Sequence, residues 1–343
     1  MLKENYKSWG IDINDFFDKK TEKEKLTFLL NFAVLAPSSH NSQPWAFSVE
    51  KNSILVYAEP KRRLKVGDKD SRFLFISLGC AIANIVIAAD YYGLSTKITY
   101  TPDSSDELAA ILSFGKIQKE VDKNDKHLVF AICHRSVNRE KYEPKLPPQS
   151  FLEEVGILGN SQLSIDIISG QSIKEKLADI VVDSAVEVME DSNFRVELSH
   201  YVKTNITKSK VGIPAFGMGI PTLISLIVPA LVKYFNMDKV SQNSFRNLLK
   251  NFTPIFVVLS TKTDKKTDWI KVGETYQKIA LLAEQKNIKT AIWGAPTITE
   301  KYSKKIQNVL GNHFRPQIFF RMGYSKKNQP HSPRLSVSEV LKN

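Results

Sequence analysis

Apolar residues fall in two rhythms along the chain. Residues 22–35, EKEKLTFLLNFAVL, repeat them at the spacing of one helix face and stop just before Pro37. WAFSVEKNSILVYAE then alternates on either side of EKNS, which predicts a β-hairpin. SRFLFISLGCAIANIVIAADYYGL, residues 71–94, is nearly all apolar and predicts a long central helix. TKITYT and KHLVFAI predict strands. Further on, residues 171–190, 239–250 and 268–287 read as helices, and PIFVVLS and PQIFFRMGY as strands.

Two of these helices run in register. With Gly79 set against Gly273, Ile76 meets Ile270, Ile85 meets Ile279, Ala89 meets Ala283 and Leu94 meets Ile288. Each helix then leads into a β-branched stretch, STKITY in one case and KTAIW in the other. Agreement of the glycine, the helix face and the exit predicts an internal duplication.

One segment interrupts the pattern. GIPAFGMGIPTLISLIVPALV, residues 212–232, carries no charge and is long enough to span a bilayer. Pro214, Pro221 and Pro229, with Gly212, Gly217 and Gly219, break any straight helix there. The expectation is an apolar lid or a buried connection, with no membrane span.

Bulk composition changes the picture little. With 42% hydrophobic and 24% charged residues among 343, the chain is ordinary for a soluble globular protein. Its net charge of +12 attracts anions, although lysines scattered over polar faces serve solubility first. Cys80 and Cys133 form no C-x-x-C pair, so no disulfide framework is expected. The first 25 residues are charged and lack an apolar core, which excludes an ordinary secretory signal and leaves a cytoplasmic location.

The familiar catalytic signatures are missing. The histidines at 40, 127, 134, 200, 313 and 331 have no metal-binding spacing, so no metal is expected. No P-loop, no G-x-S-x-G elbow and no G-x-G-x-x-G after a strand occurs. Three stretches remain. In APSSHNSQPW, Asn41 and Gln43 offer amide donors and acceptors suited to the edge of a flat heterocycle, or to closing a turn. In HRSVNREKY, Arg135 and Arg139 lie four apart. On the first turn of a helix they would face a phosphate together; otherwise they pair with Glu140, Glu143 or solvent. In SPRLSVSEVL, Arg334 is either a third such contact or a surface charge on a tail.

Taken in order, these stretches resemble the nitroreductase superfamily of FMN-binding proteins, and most closely its longer Acg-like branch. The resemblance runs from APSSHNSQPWAFSV through RFLFISLGCAIANIVIAADYYGL to PQIFFRMGYSKKNQPHSPRLSVSEVL. It implies an α+β fold: a mixed, mainly antiparallel sheet flanked by helices, in two related halves forming a pseudo-dimer. The halves are residues 1–133 and 134–343, the second carrying a lid-like segment at 211–235, and the two fold as one unit. It also implies FMN contacts from Ser38, Ser39, Asn41 and Gln43, and from Arg135, Ser136, Val137 and Arg139 where the family has Arg-x-Ser/Thr-x-Arg/Lys. Arg334 falls on the C-terminal basic residue that reaches the phosphate. Pro296, Thr297 and Ile298 fall on the turn beside the flavin N5 edge. The chain departs from the family where Val137 replaces a hydroxyl and Ile298 an acid. The order of loop and arginines is also reversed, as a fused dimer with one surviving site would require.

The implied activity is an FMN-dependent oxidoreductase that passes electrons from NAD(P)H to nitroaromatic or quinone-like acceptors. The flavin carries the chemistry, and no catalytic side chain is needed. The alternative is an FMN-sequestering protein with a closed lid and little turnover. Small molecules are the expected partners, with no nucleic acid, and the expected state is a monomer containing the pseudo-dimer or a homodimer.

Overall fold

In the computed structural model, which describes residues 3–102, 107–116 and 128–342, the elements of the first half come in simple succession. Helix α1 (Glu22–Ala33) starts at a capping box, with the Glu24 N–H donating to Thr21 Oγ1 and the Thr21 N–H to Glu24 Oε2. Strands β1 (Trp45–Glu50) and β2 (Ser53–Ala58) form the predicted hairpin, pairing Trp45 with Ala58 and Phe47 with Val56. Then follow α2 (Arg72–Tyr91), β3 (Leu94–Tyr100), β4 (Leu108–Lys116) and α3 (Leu128–His134).

The second half is longer. After α4 (Gln149–Gly156) and β5 (Leu163–Ile168), residues 169–254 insert α5 (Gln171–Val188), α6 (Ser192–Tyr201), the two-residue strands β6 (Val202–Lys203) and β7 (Ile213–Pro214), α7 (Thr222–Ser225), α8 (Val228–Tyr234) and α9 (Met237–Asn251). The chain resumes with β8 (Ile255–Thr261), α10 (Lys266–Gln285), β9 (Ile288–Ile292), α11 (Ala295–Ile298), α12 (Glu300–Leu310), β10 (Arg315–Tyr324) and α13 (Val337–Val340).

Instead of one mixed sheet there are two four-stranded antiparallel sheets, ordered β1-β2-β4-β3 and β5-β8-β10-β9. Among the described residues, parallel pairing is confined to β6 with β7 and to isolated bridges. In each sheet the fourth strand in sequence lies between the second and third, and a long helix connects the second to the third. Those helices, α2 and α10, lie side by side between the sheets. A Cβ built on Gly79 would fall 1.9 Å from the Ile270 carbonyl oxygen, and one on Gly273 would fall 1.9 Å from that of Ile76. In the register of the sequence these are the same contact made twice. Beside it, Cys80 Sγ donates to the Gly273 carbonyl and Gln277 Nε2 to Asn84 Oδ1. One apolar cluster runs through both halves, including Leu78, Ile82, Ile270, Tyr276, Val257 and Phe320.

The stretch predicted as the strand KHLVFAI is helical over its described part. Its buried residues, Leu128, Val129, Ala131 and Ile132, have helical spacing and pack as α3 against α2 and α10. An apolar run this short has no period that separates the two outcomes. Arg135 consequently follows a helix C-terminus and opens no helix; residues 135–139 run irregularly, with Val137 bridging Thr290. Residues 212–232 form no single helix: Gly219 turns left-handed at φ 74°, Pro221 caps α7 and Pro229 sits in the first turn of α8. The one helix among the described residues long and apolar enough to cross a membrane is α2, and it is mostly buried in the core.

Gly273→Ala should destabilise the fold by about 3 kcal/mol or more, because the methyl group meets backbone in place of a movable side chain. Urea denaturation checks this: the midpoint should fall sharply for Gly273→Ala and scarcely move for Gly156→Ala, where nothing lies within 4 Å.

Candidate functional site

The loop after α1 is held in an unusual shape by its own sequence. His40, Asn41 and Gln43 all adopt left-handed backbone conformations, with φ of 51°, 53° and 52°. Histidine and asparagine tolerate that region better than most residues, but three in four positions need external support. The Gln43 N–H donates to Ser38 Oγ at 2.9 Å and Arg62 Nε donates to the Gln43 carbonyl at 2.7 Å.

Neither amide of the loop presents a free edge. Asn41 Nδ2 donates to the carbonyls of Gly212 at 3.0 Å and Pro333 at 2.9 Å, and its Oδ1 accepts from Arg334 Nη1 at 2.7 Å. Gln43 Nε2 donates to the Lys210 carbonyl at 2.7 Å and its Oε1 accepts the Leu335 N–H at 2.9 Å. Two amides thus clasp the start of the apolar segment and the C-terminal tail against the loop. The Gly212 N–H returns a bond to the Asn41 carbonyl. Gly212 itself sits at φ 100°, with the Tyr201 carbonyl 2.4 Å from where a Cβ would go. Helix α6 covers the other side, where Phe194 and Tyr201 approach the His40 ring. Burial brings the His40 pKa down to about 4.

Behind this clasp lies a group of arginines. Arg334, expected either at a phosphate or on a surface tail, is buried. Its guanidinium lies over the Trp9 ring at 5.0 Å and also donates to Pro333 and Leu35 carbonyls. Burial first, and then neighbouring Arg135, bring its pKa down to about 9. Arg135 is equally buried, and its Nε and Nη1 have no hydrogen-bond partner among the described residues. Arg139 is exposed at the surface, yet desolvation by the surrounding protein, then Arg321, holds its pKa below the ordinary arginine value. Its Nη1 reaches the Gly217 carbonyl at 3.4 Å.

Arg321, in the middle of β10, went unremarked in the sequence. It is fully buried over the Tyr142 ring at 4.1 Å, and its Nε and Nη1 are likewise unpartnered among the described residues. The available signal was one cation within IFFRMGY, a stretch otherwise without charge. Arg72, Arg246 and Arg315 all form ion pairs with aspartates, whereas none of Arg135, Arg139, Arg321 and Arg334 has a carboxylate partner among the described residues. Buried cations without counter-ions are costly, and such a group fits an anion.

A cavity of about 350 Å³ opens nearby, lined by Asp68, Arg72, Phe73, Phe194, Ile298 and Thr299 among others. A narrower recess beside it shares Asp68 and Phe73 and reaches Ser39 and Ser42 of the loop. Ser39 and Ile298 therefore line neighbouring recesses, while Asn41, Arg135, Arg139 and Arg334 line neither. Pro296 and Thr297 are buried, and the Thr297 N–H is spent on the Gly294 carbonyl. Ser136 and Val137 are half-buried, with Val137 in its bridge to Thr290. In the cavity wall, burial pushes the Asp68 carboxyl up to about 6, against hydrogen bonds from the Phe73 and Leu74 N–H groups at the start of α2.

Two outcomes test this geometry. Gln43→Ala should free the Leu335 N–H, raising its hydrogen-exchange rate roughly tenfold or more if the bond contributes about 1.5 kcal/mol; mass-resolved exchange over 333–341 checks this. For Asp68, a folded pKa above the unfolded 3.8 means the fold favours the protonated acid. Its contribution is complete below 3.8 and is lost as pH rises through about 6. Urea titrations across that window should show the parent chain losing stability relative to Asp68→Asn.

No protein-family model matches the chain. Among curated proteins, "Putative NAD(P)H nitroreductase Rv3131" of Mycobacterium tuberculosis is 25% identical over 325 residues, covering 93% of this chain and 92% of its own. "Putative NAD(P)H nitroreductase acg" of the same organism is 23% identical over 328 residues, covering 91% and 93%. Among solved structures, the FMN-dependent nitroreductase NfnB of Mycobacterium smegmatis, crystallised with NADPH, is 15% identical over 61% of this chain and 94% of its own, with a TM-score of 0.39. Along nearly its whole length, then, the chain is similar to proteins named as putative NAD(P)H nitroreductases, Acg among them.

Proposed function

We propose that the chain binds FMN and takes electrons from NAD(P)H for small acceptors such as nitroaromatics or quinones. One observation carries this reading: Arg135 is buried beside Arg334 with two N–H donors unused among the described residues. A phosphate monoester would supply the missing charge and acceptors together. Arg135 and Arg334 would hold it, and Arg139 would favour negative charge on the pyrimidine end. When bound, FMN supplies the redox chemistry, accepting hydride from a nicotinamide and passing electrons on.

The other residues position and exclude. Ser38 and Ser39 would border the ring on the loop side, and Pro296, Thr297 and Ile298 on the cavity side. Pro296 has no N–H and that of Thr297 is committed, so at most the Ile298 N–H would be left for a ring edge. Asn41 and Gln43 would contact the ring only by releasing Gly212, Pro333, Lys210 or Leu335. Phe194 and α6 would keep water from the ring.

We further infer that residues 1–133 and 134–343 are the halves of an internal pseudo-dimer with one site. The matched strand order and the reciprocal contacts of Gly79 and Gly273 support this, since a two-fold axis makes every contact twice. The loop would come from the first half and the arginines from the second.

A second reading has its own observation. The clasp of Asn41 and Gln43 on residues 210–212, with α6 behind it, favours a closed site that stores FMN without turnover.

Purified full-length chain should carry about one FMN, and Arg135→Ala should weaken retention roughly a hundredfold, as expected for losing a pair of charge-assisted hydrogen bonds. Equilibrium dialysis checks both, and a chain that takes up no FMN refutes the proposal. Anaerobic NADPH or NADH then separates the readings: bleaching within minutes supports the oxidoreductase, and an unchanged flavin spectrum supports storage.

A further inference from the structure

The inserted segment exposes apolar side chains in a way the rest of the surface does not. Of the large hydrophobic residues exposed among the described residues, nine of fifteen lie between Ile206 and Val240. Leu223 is 83% exposed, and Ile224, Leu226, Ile227, Tyr234 and Phe235 are each more than half exposed. They stand on α7, the turn before α8 and the end of α8, while Val228 and Val232 face inward and hold the segment to the fold. Soluble proteins keep such clusters where something covers them.

The charges around the cluster say what that is. Residues 206–240 contain Lys208, Lys210, Lys233 and Lys239 against the single acid Asp238. Lys210 is paired with Glu339, whereas Lys208, Lys233 and Lys239 are exposed and form no ion pair among the described residues. An apolar cluster among free ammonium groups matches an anionic lipid surface: acyl chains receive the leucines and isoleucines, headgroup phosphates meet the lysines, and tyrosine sits at the boundary. A second copy of the chain is the poorer match. A two-fold contact would bring identical lysines together on a chain already carrying +12.

We propose that residues 218–240 dock peripherally on anionic bilayers, inserting Leu223 to Ile227 and Phe235 into the headgroup region without spanning. Neither FMN binding nor turnover is needed for this.

The test uses the full chain and vesicles of phosphatidylcholine, alone or in equimolar mixture with phosphatidylglycerol, in flotation assays. The chain should float with the mixed vesicles at low salt and remain below with phosphatidylcholine alone. Removing lysines in Lys233→Ala and Lys239→Ala should weaken binding roughly fivefold each. Leu223→Asp with Ile227→Asp, both at exposed positions, should reduce it by about a hundredfold with the circular dichroism unchanged. Failure to float with mixed vesicles overturns the proposal. So does undiminished binding of the aspartate variant, which would assign adsorption to general charge. A concentration-dependent dimer abolished by the aspartates, without vesicle binding, would make the patch a self-association surface and overturn it equally.

Discussion

Two helices meet backbone to backbone at the centre of this molecule, and the remaining architecture is arranged around that contact. Gly79 and Gly273 let α2 and α10 approach until a single methyl group on either would strike a carbonyl of the other. So close an approach leaves no room for the register to slide, so the sheets packed on either side are fixed relative to each other. The loop beginning at Ser38 follows α1, which packs on α2; Arg135 follows α3, which packs on both long helices. The distance between loop and arginines is therefore set by elements that touch the same helix pair. A site assembled from remote parts of the sequence depends on this rigidity, because half an ångström of slack is enough to lose a charged hydrogen bond.

What could be read from the sequence follows from how local each signal is. The β1–β2 hairpin and the helices α1, α2 and α10 were legible, because period, cap and turn residues lie within a few positions. So was the register of Gly79 with Gly273, although only the structure shows both glycines at the same crossing. α3 reads as a strand in the sequence because LVFAIC is apolar at every position; which positions are buried (Leu128, Val129, Ala131 and Ile132, with Phe130 exposed) shows only in the fold. β4, β5 and α12 went unmarked, β4 because LAAILSFGK alternates poorly and α12 because its apolar face is narrow among lysines. The division into two antiparallel sheets depends on where β10 lies between β8 and β9, which no local pattern encodes.

The structure brings some of the candidate residues together and leaves others apart. Asn41 and Arg334 do meet, 293 positions apart in sequence, which the chain shows only through its likeness to a family. The spacing of Arg135 and Arg139 suits one face of a helix, yet the backbone between them is irregular; one is buried and the other exposed. Arg321 escaped because a single charge amid apolar strand residues is a weak signal without knowledge of what faces it. The partners of Asn41 and Gln43 could not be foreseen, since amides bind backbone carbonyls that every residue possesses.

That last point bears on how such a site works. Asn41 shares its acceptor with Arg334, so the group that closes the loop also neutralises nothing on the arginine; it only orients it. The positive charge of Arg135 and Arg334 is left undiminished by any carboxylate among the described residues, which would keep the field at its strongest for the phosphate proposed above. Closing the loop with neutral amides and leaving the cations unpaired are two parts of one arrangement. Acidic residues in place of Asn41 or Gln43 would clasp the arginine more strongly and compete with the anion for it. An amide loop would therefore suit the proposed site, since it holds the fold together without competing for the anion.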